Sequence, residues 1–327
     1  MTAVADDERC SVVSARLDEP LAGSAPLARA WLVLEQPGPY GRQALTESHL
    51  PAEVGAAVAR AVEGTRVTVL LARRPGHHAD DHSGSTSRRF WFAHCASGGT
   101  RMRSGVLDDA VLLRPELPDV MRDAARGQLP PWGSKDDEPL LLVCTNSRRD
   151  RCCAIEGRPL AAELAKGPYG RRVLEVNHLG GHRFAPTALL LPSGFLYGRL
   201  DAASGAEILA EAQEGRLGAL DRMRGRSSGP APAQAAAIAV RTETGAVGID
   251  DLDVLHRVGE HSVPVPLGLA PDGDEVRLEV RHVDGRAWDV LVRRETVAPD
   301  RAESCGKAAV AAVAWRAAEV VPAPRWA

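Results

Sequence analysis

Two cysteines and two histidines lie close together in the middle of the chain and limit how this region can fold. Cys144 ends the apolar run Leu140–Cys144, Cys153 follows after eight intervening residues, and His178 and His182 come shortly afterwards. Thiolate and imidazole are the soft side-chain ligands that proteins use for zinc, copper and iron–sulfur clusters. The pattern predicts a fold that brings the four side chains around one metal ion or cluster.

Each pair also has an ordinary structural interpretation. A cysteine at the end of an apolar strand is commonly a small buried hydrophobe, and two histidines four positions apart occur on many surfaces. The joint spacing favours a metal site. Structural zinc sites usually separate their first two ligands by two to four residues, so an eight-residue spacing favours a metal group larger than a single ion. Two irons bridged by two sulfides, with thiolates on one iron and imidazoles on the other, is such a group.

The predicted elements around these residues follow the order of a thioredoxin-like domain. They are a strand, a helix, three strands and a helix, at residues 140–144, 157–166, 173–176, 187–191, 195–200 and 203–214. This order places Cys144 at the carboxyl end of the first strand, and Cys152 and Cys153 in the loop ahead of the first helix. The pair Gly180-Gly181 predicts a loop between the histidines, since each glycine costs about 1 kcal/mol in a helix interior.

The length of 327 residues favours more than one module, because a single core seldom grows beyond roughly 250 to 300 residues. We predict an α/β chain with three modules: an N-terminal α/β module at 1–135, a thioredoxin-like ferredoxin domain at 136–224 and a C-terminal α+β module at 225–327. The first module is interpreted as a degenerate copy of the second, because both begin with an apolar strand that enters a loop. Without matching ligands, such a copy is structural.

The C-terminal module has three local signals. The stretch from Arg224 to Pro232 is rich in Gly, Ser and Pro, which predicts a linker. Residues 275–292 alternate with period two across an Asp-Gly turn, which predicts a β-hairpin. The alanines and valines after Ser304 predict a helix that reaches Trp315.

Composition excludes several classes of function. The formal net charge of -3 offers no basic field for nucleic acid, and no run approaches the roughly 20 apolar residues of a membrane span. The acidic, polar N-terminus does not resemble a signal peptide, and six cysteines are too few for a disulfide scaffold of this length. The sequence thus predicts a soluble, cytoplasmic protein, and its Ala, Arg, Gly and Val bias is typical of a high-GC bacterial genome.

Three segments resemble the sucrase/ferredoxin-like family, namely Cys144–Cys153, Asn177–Ala185 and Leu196–Arg199. That family is related to thioredoxin-like [2Fe-2S] ferredoxins in which two histidines replace the second pair of cluster cysteines. The resemblance implies a [2Fe-2S] cluster with Cys144 and Cys153 as thiolate ligands and His178 and His182 as imidazole ligands.

The resemblance leaves one choice of register open. Cys153 matches the family cysteine that precedes a small residue, here Ala154, but Cys152 is one position away and is the alternative ligand. Many members also have His-Gly where this chain has Asn146-Ser147, which changes hydrogen bonding near the first thiolate. The word sucrase in the family name is not supported, because aromatic residues make up only 4% of the chain and no carboxylate pair stands out.

The implied cluster predicts a one-electron carrier. Two neutral imidazoles make the cluster less negative, which implies a potential of roughly -150 to +300 mV. Reduction adds negative charge beside the second ring nitrogen of each ligand histidine, so electron uptake should favour proton uptake. The basic residues Arg148, Arg149 and Arg151 are a candidate rim for a redox partner protein such as a flavoprotein reductase, or a solvated loop; the oligomeric state is unknown.

Two other functional classes compete with the electron carrier. Adjacent Cys152 and Cys153 could serve a thioredoxin-like thiol enzyme, although the usual Cys-x-x-Cys is absent. A zinc-stabilised interaction module is the third interpretation. Outside this region, Cys305 is a candidate second redox thiol near Cys10, although a buried structural cysteine is favoured, and the histidines of a polar loop are interpreted as chance occurrences: His77, His78 and His82.

Overall fold

The computed structural model describes residues 9–76, 85–259, 261–269 and 273–324. The described strands are β1 Ala30–Glu35, β2 Val67–Arg73, β3 Ser87–His94, β4 Arg101–Asp108, β5 Ser134–Lys135, β6 Leu140–Cys144, β7 Val173–Val176, β8 Ala188–Leu191, β9 Phe195–Tyr197, β10 Met223–Arg226, β11 Leu252–Val258, β12 His261–Pro264, β13 Glu275–His282, β14 Ala287–Arg301 and β15 Val310–Ala323. The described α-helices are α1 Cys10–Arg16, α2 Ala44–Glu47, α3 Ala52–Val62, α4 Asp109–Leu112, α5 Leu117–Ala125, α6 Arg151–Leu164, α7 Ala202–Gln213 and α8 Ala231–Thr244. The predicted α/β class is confirmed.

Contacts divide the chain into two compact units. The mixed-sheet unit comprises Ala28–Leu179 and Ala188–Gly194. The antiparallel unit comprises the described parts of Met1–Leu27, Gly180–Thr187 and Phe195–Ala327. Each unit draws on separate stretches of the chain, and the division into three sequential modules stays a prediction.

The mixed-sheet unit is organised around a sheet with the strand order β8-β6-β7-β2-β1-β3-β4-β5. The pairs β1/β2 and β6/β7 are parallel, and the other neighbours are antiparallel. The same arrangement therefore occurs twice, as a strand, a helix and a parallel strand with an antiparallel strand on the far side of the first. The two halves meet where Ala72 of β2 lies opposite Val176 of β7.

The first half has its own apolar core. Strands β1 to β3 bury Leu32, Leu71 and Phe92 against α3 and α5, which contribute Val54 and Met121. Pro51 precedes α3 and marks where this helix begins. Polar residues on its outer face leave the apolar face to be buried. This core holds β1 and β2 in place, and β2 is the strand that pairs with β7 of the second half.

Helix α6 begins at Arg151 rather than at residue 157, which corrects the sequence analysis. Asp150 caps it, because its Oδ1 accepts the N–H of Cys152 at 2.8 Å. Cys152 and Cys153 consequently lie in the first turn of the helix and not in a loop ahead of it. The cap was the local signal that the prediction did not use.

The antiparallel unit contains a five-stranded sheet in the order β12-β11-β13-β14-β15 and also strands β9 and β10, which pair antiparallel with each other. The hairpin predicted at 275–292 is confirmed by β13 and β14. Helix α8 packs its small face, with Ala236 and Val240, against Val280 and Val290 of the sheet. Among the described residues, no helix is long and apolar enough to cross a membrane.

Two predictions for this unit are wrong. The segment predicted as a helix up to Trp315 forms β15, which pairs with β14 from Ala287 opposite Ala323 to Arg301 opposite Val310. Alanines favour a helix locally, but pairing with a long distant strand satisfies the backbone here. The predicted linker begins inside β10, and its Arg224 is buried with 1% of its surface exposed.

Candidate metal centre

Cys144 is the last residue of β6, as the sequence predicted, and its side chain is buried. Its Sγ forms hydrogen bonds with Cys153 and His178 and accepts one from the backbone N–H of Leu179. The parallel pairing of β6 with β7 produces this arrangement, because Cys144 lies opposite Val176, two residues before His178. Three of the four predicted ligands therefore lie together: Cys144, Cys153 and His178.

Cys153 reaches Cys144 from the first turn of α6. The helix can approach the end of β6 because Gly157 has no side chain: a Cβ there would lie 2.2 Å from the carbonyl oxygen of Cys144. Cys152, its neighbour, is also buried, and its N–H is occupied by the cap with Asp150. The Cys152 sulfur and a carboxylate oxygen of Asp150 lie within 4.8 Å of each other.

The two thiols at the end of β6 have opposite acidities. The hydrogen bond from Cys153 holds the pKa of Cys144 well below its usual range; burial opposes this, while His178 and the N–H of Leu179 add to it. The same hydrogen bond to Cys144, together with burial, raises the pKa of Cys153. The opposite directions favour a thiolate on Cys144 and a proton on Cys153. Metal binding would release the remaining proton.

The two histidines lie on the loop that the glycine pair predicted. His178 follows β7, and Gly180 and Gly181 both have φ of +69°, the left-handed region that glycine adopts at little cost. His182 belongs to the antiparallel unit, where it begins the 3-10 helix His182–Phe184. Both imidazoles are partly exposed.

A buried polar network supports the end of β6. Thr145 Oγ1 donates to Glu175 Oε2 at 3.0 Å, and Arg73 Nε donates to the same oxygen at 3.0 Å. Tyr40 donates its hydroxyl to the carbonyl oxygen of Glu175 at 2.8 Å, and the Arg73 guanidinium lies 4.4 Å from the Tyr40 ring centroid. The first half of the mixed-sheet unit thus helps to hold Thr145, the residue that follows Cys144. Local sequence patterns do not predict this role.

The donor set suits a soft metal group. Two sulfurs and an imidazole converge, and a backbone N–H points at one of the sulfurs, as is common where cysteines hold iron–sulfur clusters. Residues 21–225 match the family model described as sucrase/ferredoxin-like, which is more than half of the chain. The chain belongs to the sucrase/ferredoxin-like family. No curated protein and no solved structure gives a significant match to it.

The match to the sucrase/ferredoxin-like family includes all four predicted ligands and also Arg224, near its end. Arg224 Nη1 donates to the carbonyl oxygen of Gly180 at 3.0 Å, and its Nε donates to Ser24 Oγ at 3.1 Å. A Cβ at Gly181 would lie 2.5 Å from Arg224 Nη2, so the second glycine makes room for this arginine. Arg224 fixes the turn between the histidines, although the sequence analysis assigned it to a linker.

The remaining candidates are not among the four predicted ligands. Cys10 and Cys305 lie together in the antiparallel unit, with their sulfurs 3.6 Å apart. No disulfide joins any of the six cysteines, all of which are among the described residues. The histidines of the polar loop, His77, His78 and His82, lie outside the described residues.

Proposed function

We propose that this chain is a [2Fe-2S] protein that transfers one electron at a time and takes up a proton with it. The proposed ligands are Cys144, Cys153, His178 and His182. The observation that carries the proposal is the convergence of Cys153, His178 and the Leu179 N–H on the sulfur of Cys144. Family membership supports it independently of that geometry.

Each residue has a defined part in the proposal. Cys144 offers a thiolate, and Cys153 becomes a second thiolate when it gives up the proton that it shares with Cys144. The Leu179 N–H stabilises negative charge on sulfur, which raises a reduction potential. His182 follows His178 by four positions, so the chain limits their Cα separation to roughly 14 Å. A bound cluster would supply the one-electron chemistry.

Anaerobic purification followed by iron, sulfide and zinc analysis tests the proposal. A red-brown protein with about two irons and two sulfides per chain is expected. A colourless protein with one zinc per chain would instead support the zinc-stabilised module, and one with only thiols would support a thiol enzyme. The geometry gives that thiol enzyme Cys144 and Cys153 as its pair, because these two sulfurs are hydrogen-bonded.

Two matched substitutions decide the register of the second thiolate. Cys153→Ser should lose iron and visible absorption, and Cys152→Ser, one residue away in the same helical turn, should keep both. Loss of iron in Cys152→Ser alone would assign the ligand to Cys152. Both serines are nearly isosteric with cysteine, so folding can be compared directly by circular dichroism.

Proton coupling has its own test. The potential of the purified protein should fall with rising pH over part of the range from pH 6 to 10, because a ligand imidazole can carry a proton when the cluster is reduced. His178→Cys and His182→Cys should each shift the potential downwards by adding a charged thiolate. A potential that is constant from pH 6 to 10 would refute the coupling and leave simple electron transfer.

We further propose that a redox partner protein such as a flavoprotein reductase docks beside α6. Arg148 is exposed, and Arg149 and Arg151 are partly exposed at the start of that helix. Positive side chains steer an acidic partner and make its association sensitive to salt. Arg148→Glu should slow reduction by an acidic flavoprotein reductase at low salt. A cytoplasmic location stays a prediction from the sequence.

A further inference from the structure

The antiparallel unit contains a second pair of thiols that are not among the proposed ligands. Cys10 is the first residue of α1 and is 2% exposed, whereas Cys305 is partly exposed in the connection between β14 and β15. Their sulfurs are 3.6 Å apart although 295 positions separate them along the chain. A disulfide needs a sulfur–sulfur distance of about 2.05 Å, so a movement of roughly 1.5 Å would join them.

A buried ion pair holds the same two segments together independently of the thiols. Glu19, just after α1, accepts hydrogen bonds from Arg301 Nε at 2.8 Å and forms an ion pair with Arg301 Nη2 at 2.6 Å. Arg301 is the last residue of β14, and its side chain and that of Glu19 are 3% and 2% exposed. The proximity of Cys10 to Cys305 therefore follows from a fixed packing of α1 on the end of β14.

Cys305 lies in a turn of the connection between β14 and β15. Lys307 N–H donates to the Ser304 carbonyl oxygen at 3.1 Å, which closes a tight turn around Cys305. Gly306 has φ of +77°, and a Cβ there would meet nothing within 4 Å, so the turn is open on that side. Cys305 is the thiol that a small reagent can reach, and Cys10 is the buried thiol beside it.

We propose that Cys10 and Cys305 form a reversible disulfide that fastens α1 to the β14–β15 connection, with a low-molecular-weight disulfide as oxidant. The Cys305 thiolate attacks one sulfur of the small disulfide and releases one small thiol, which leaves a mixed disulfide on Cys305. Cys10 then attacks the Cys305 sulfur and displaces the second small thiol. Two protein thiols lose two electrons and two protons, and one small disulfide becomes two thiols.

The test uses the full-length chain as purified, reduced and then equilibrated with glutathione buffers of increasing oxidised fraction. Free thiols are alkylated, and the digest is analysed for the peptide that joins Cys10 to Cys305. We expect this peptide to become the main form of both cysteines in the most oxidising buffer and to disappear on adding dithiothreitol. Continued alkylation of both cysteines in that buffer would overturn the proposal.

Single substitutions distinguish the roles of the two thiols. In Cys10→Ser, Cys305 should accumulate as a mixed disulfide with glutathione, whereas in Cys305→Ser, Cys10 should stay reduced. Cys95→Ser removes a buried cysteine of the mixed-sheet unit and serves as the matched control, in which the joined peptide should persist. Zinc bound at one per chain and lost in both Cys10→Ser and Cys305→Ser would overturn the proposal, because the pair would then be metal ligands.

Discussion

The same strand ending occurs twice in the mixed-sheet unit, at the end of β6 with proposed metal ligands and at the end of β1 without them. At the end of β6, Thr145 N–H donates to the Val176 carbonyl oxygen at 3.0 Å, and Cys144 lies opposite Val176. At the end of β1, Gln36 N–H donates to the Ala72 carbonyl oxygen at 2.7 Å, and the residue opposite Ala72 is Glu35. The backbone arrangement is shared, so Glu35 at the end of β1 is equivalent in position to Cys144 at the end of β6.

The histidine has a counterpart as well. His178 lies two residues after Val176, and Arg74 lies two residues after Ala72. Cys144 is hydrogen-bonded to His178, whereas Glu35 and Arg74 form an ion pair with 3.9 Å between the carboxylate oxygen and Nε. A guanidinium has no lone pair to give a metal. The two strand ends thus share a backbone arrangement and differ in these two side chains.

The largest expected difference between the two ends is in iron binding. Cys144→Ser should reduce bound iron from about two per chain to almost none, because it removes the thiolate on which the other groups converge. Glu35→Gln changes the equivalent residue of the other half and should leave iron content and visible absorption unchanged. Iron and sulfide analysis of both proteins checks this. Equal loss in both would show that the two ends act as one site.

Neighbouring arginines provide the second contrast, in stability. Arg73 pairs with Glu175 in the buried network, with side-chain exposures of 5% and 1%, so Arg73→Met leaves a buried carboxylate without its cation. Loss of one partner of such a pair costs about 3–5 kcal/mol of unfolding free energy. Arg74→Met breaks a pair with exposures of 33% and 22%, worth about 0–1 kcal/mol.

Urea unfolding of the two methionine variants measures this contrast. The two substitutions are chemically identical and lie next to each other at the end of β2, so differences in the unfolded chain largely cancel. Arg73→Met should also broaden the visible spectrum, because Glu175 accepts the Thr145 hydroxyl beside Cys144. Similar losses of stability in both variants would mean that burial does not determine how much each ion pair contributes to the free energy of unfolding.

Glycines in the two helices give a smaller contrast. A Cβ at Gly157 would lie 2.2 Å from the Cys144 carbonyl oxygen, and one at Gly55 would lie 1.7 Å from that of Leu45. Alanine gains about 1 kcal/mol in a helix interior, but the clash with a backbone atom costs about 1–3 kcal/mol. We expect both Gly→Ala variants to be less stable in urea, and only Gly157→Ala to lose iron faster to a chelator.

Local patterns in the sequence predicted the strands that hold the site better than the helix that completes it. The apolar run Leu140–Cys144 and the strand at 173–176 were predicted with the bounds that the structure has. The start of α6 was missed because the analysis followed apolar spacing and not the cap at Asp150. The loop between the histidines was predicted from the cost of Gly180 and Gly181 in a helix, and in the structure both adopt left-handed φ values.

Contacts between distant segments could not be predicted from local patterns. β15 was assigned to a helix, since its alanines carry no sign of the distant strand β14 that pairs with it. Arg224 was assigned to a linker, and its hydrogen bond to Gly180 joins segments 44 positions apart. The ion pair of Glu35 and Arg74 likewise depends on strand pairing. From the sequence, the counterpart of the proposed metal site was recognised only as a second apolar strand that enters a loop.

The last and smallest effect concerns the metal-free chain, where the end of β6 holds one proton between two thiols. An unfolded cysteine has a pKa of about 8.5. The folded chain has a lowered pKa at Cys144, and it keeps a proton on Cys153, whose pKa is raised by the hydrogen bond to Cys144 and by burial. Below pH 8.5 the unfolded chain therefore binds one proton more than the folded chain, and above pH 8.5 it binds one fewer.

Stability from this pair should consequently rise with pH up to about 8.5 and fall beyond it, by at most about 1.4 kcal/mol per pH unit on either side. The measurement is urea unfolding of the metal-free protein from pH 6 to 10, with the double variant Cys144→Ser/Cys153→Ser subtracted as reference. Cys95→Ser should keep the maximum, because that buried cysteine lies after β3 and away from the shared proton. A difference that rises steadily through pH 10 would mean that both thiols ionise in the folded chain, and the end of β6 would then resemble the charged pair at the end of β1 more closely than its hydrogen bonds indicate.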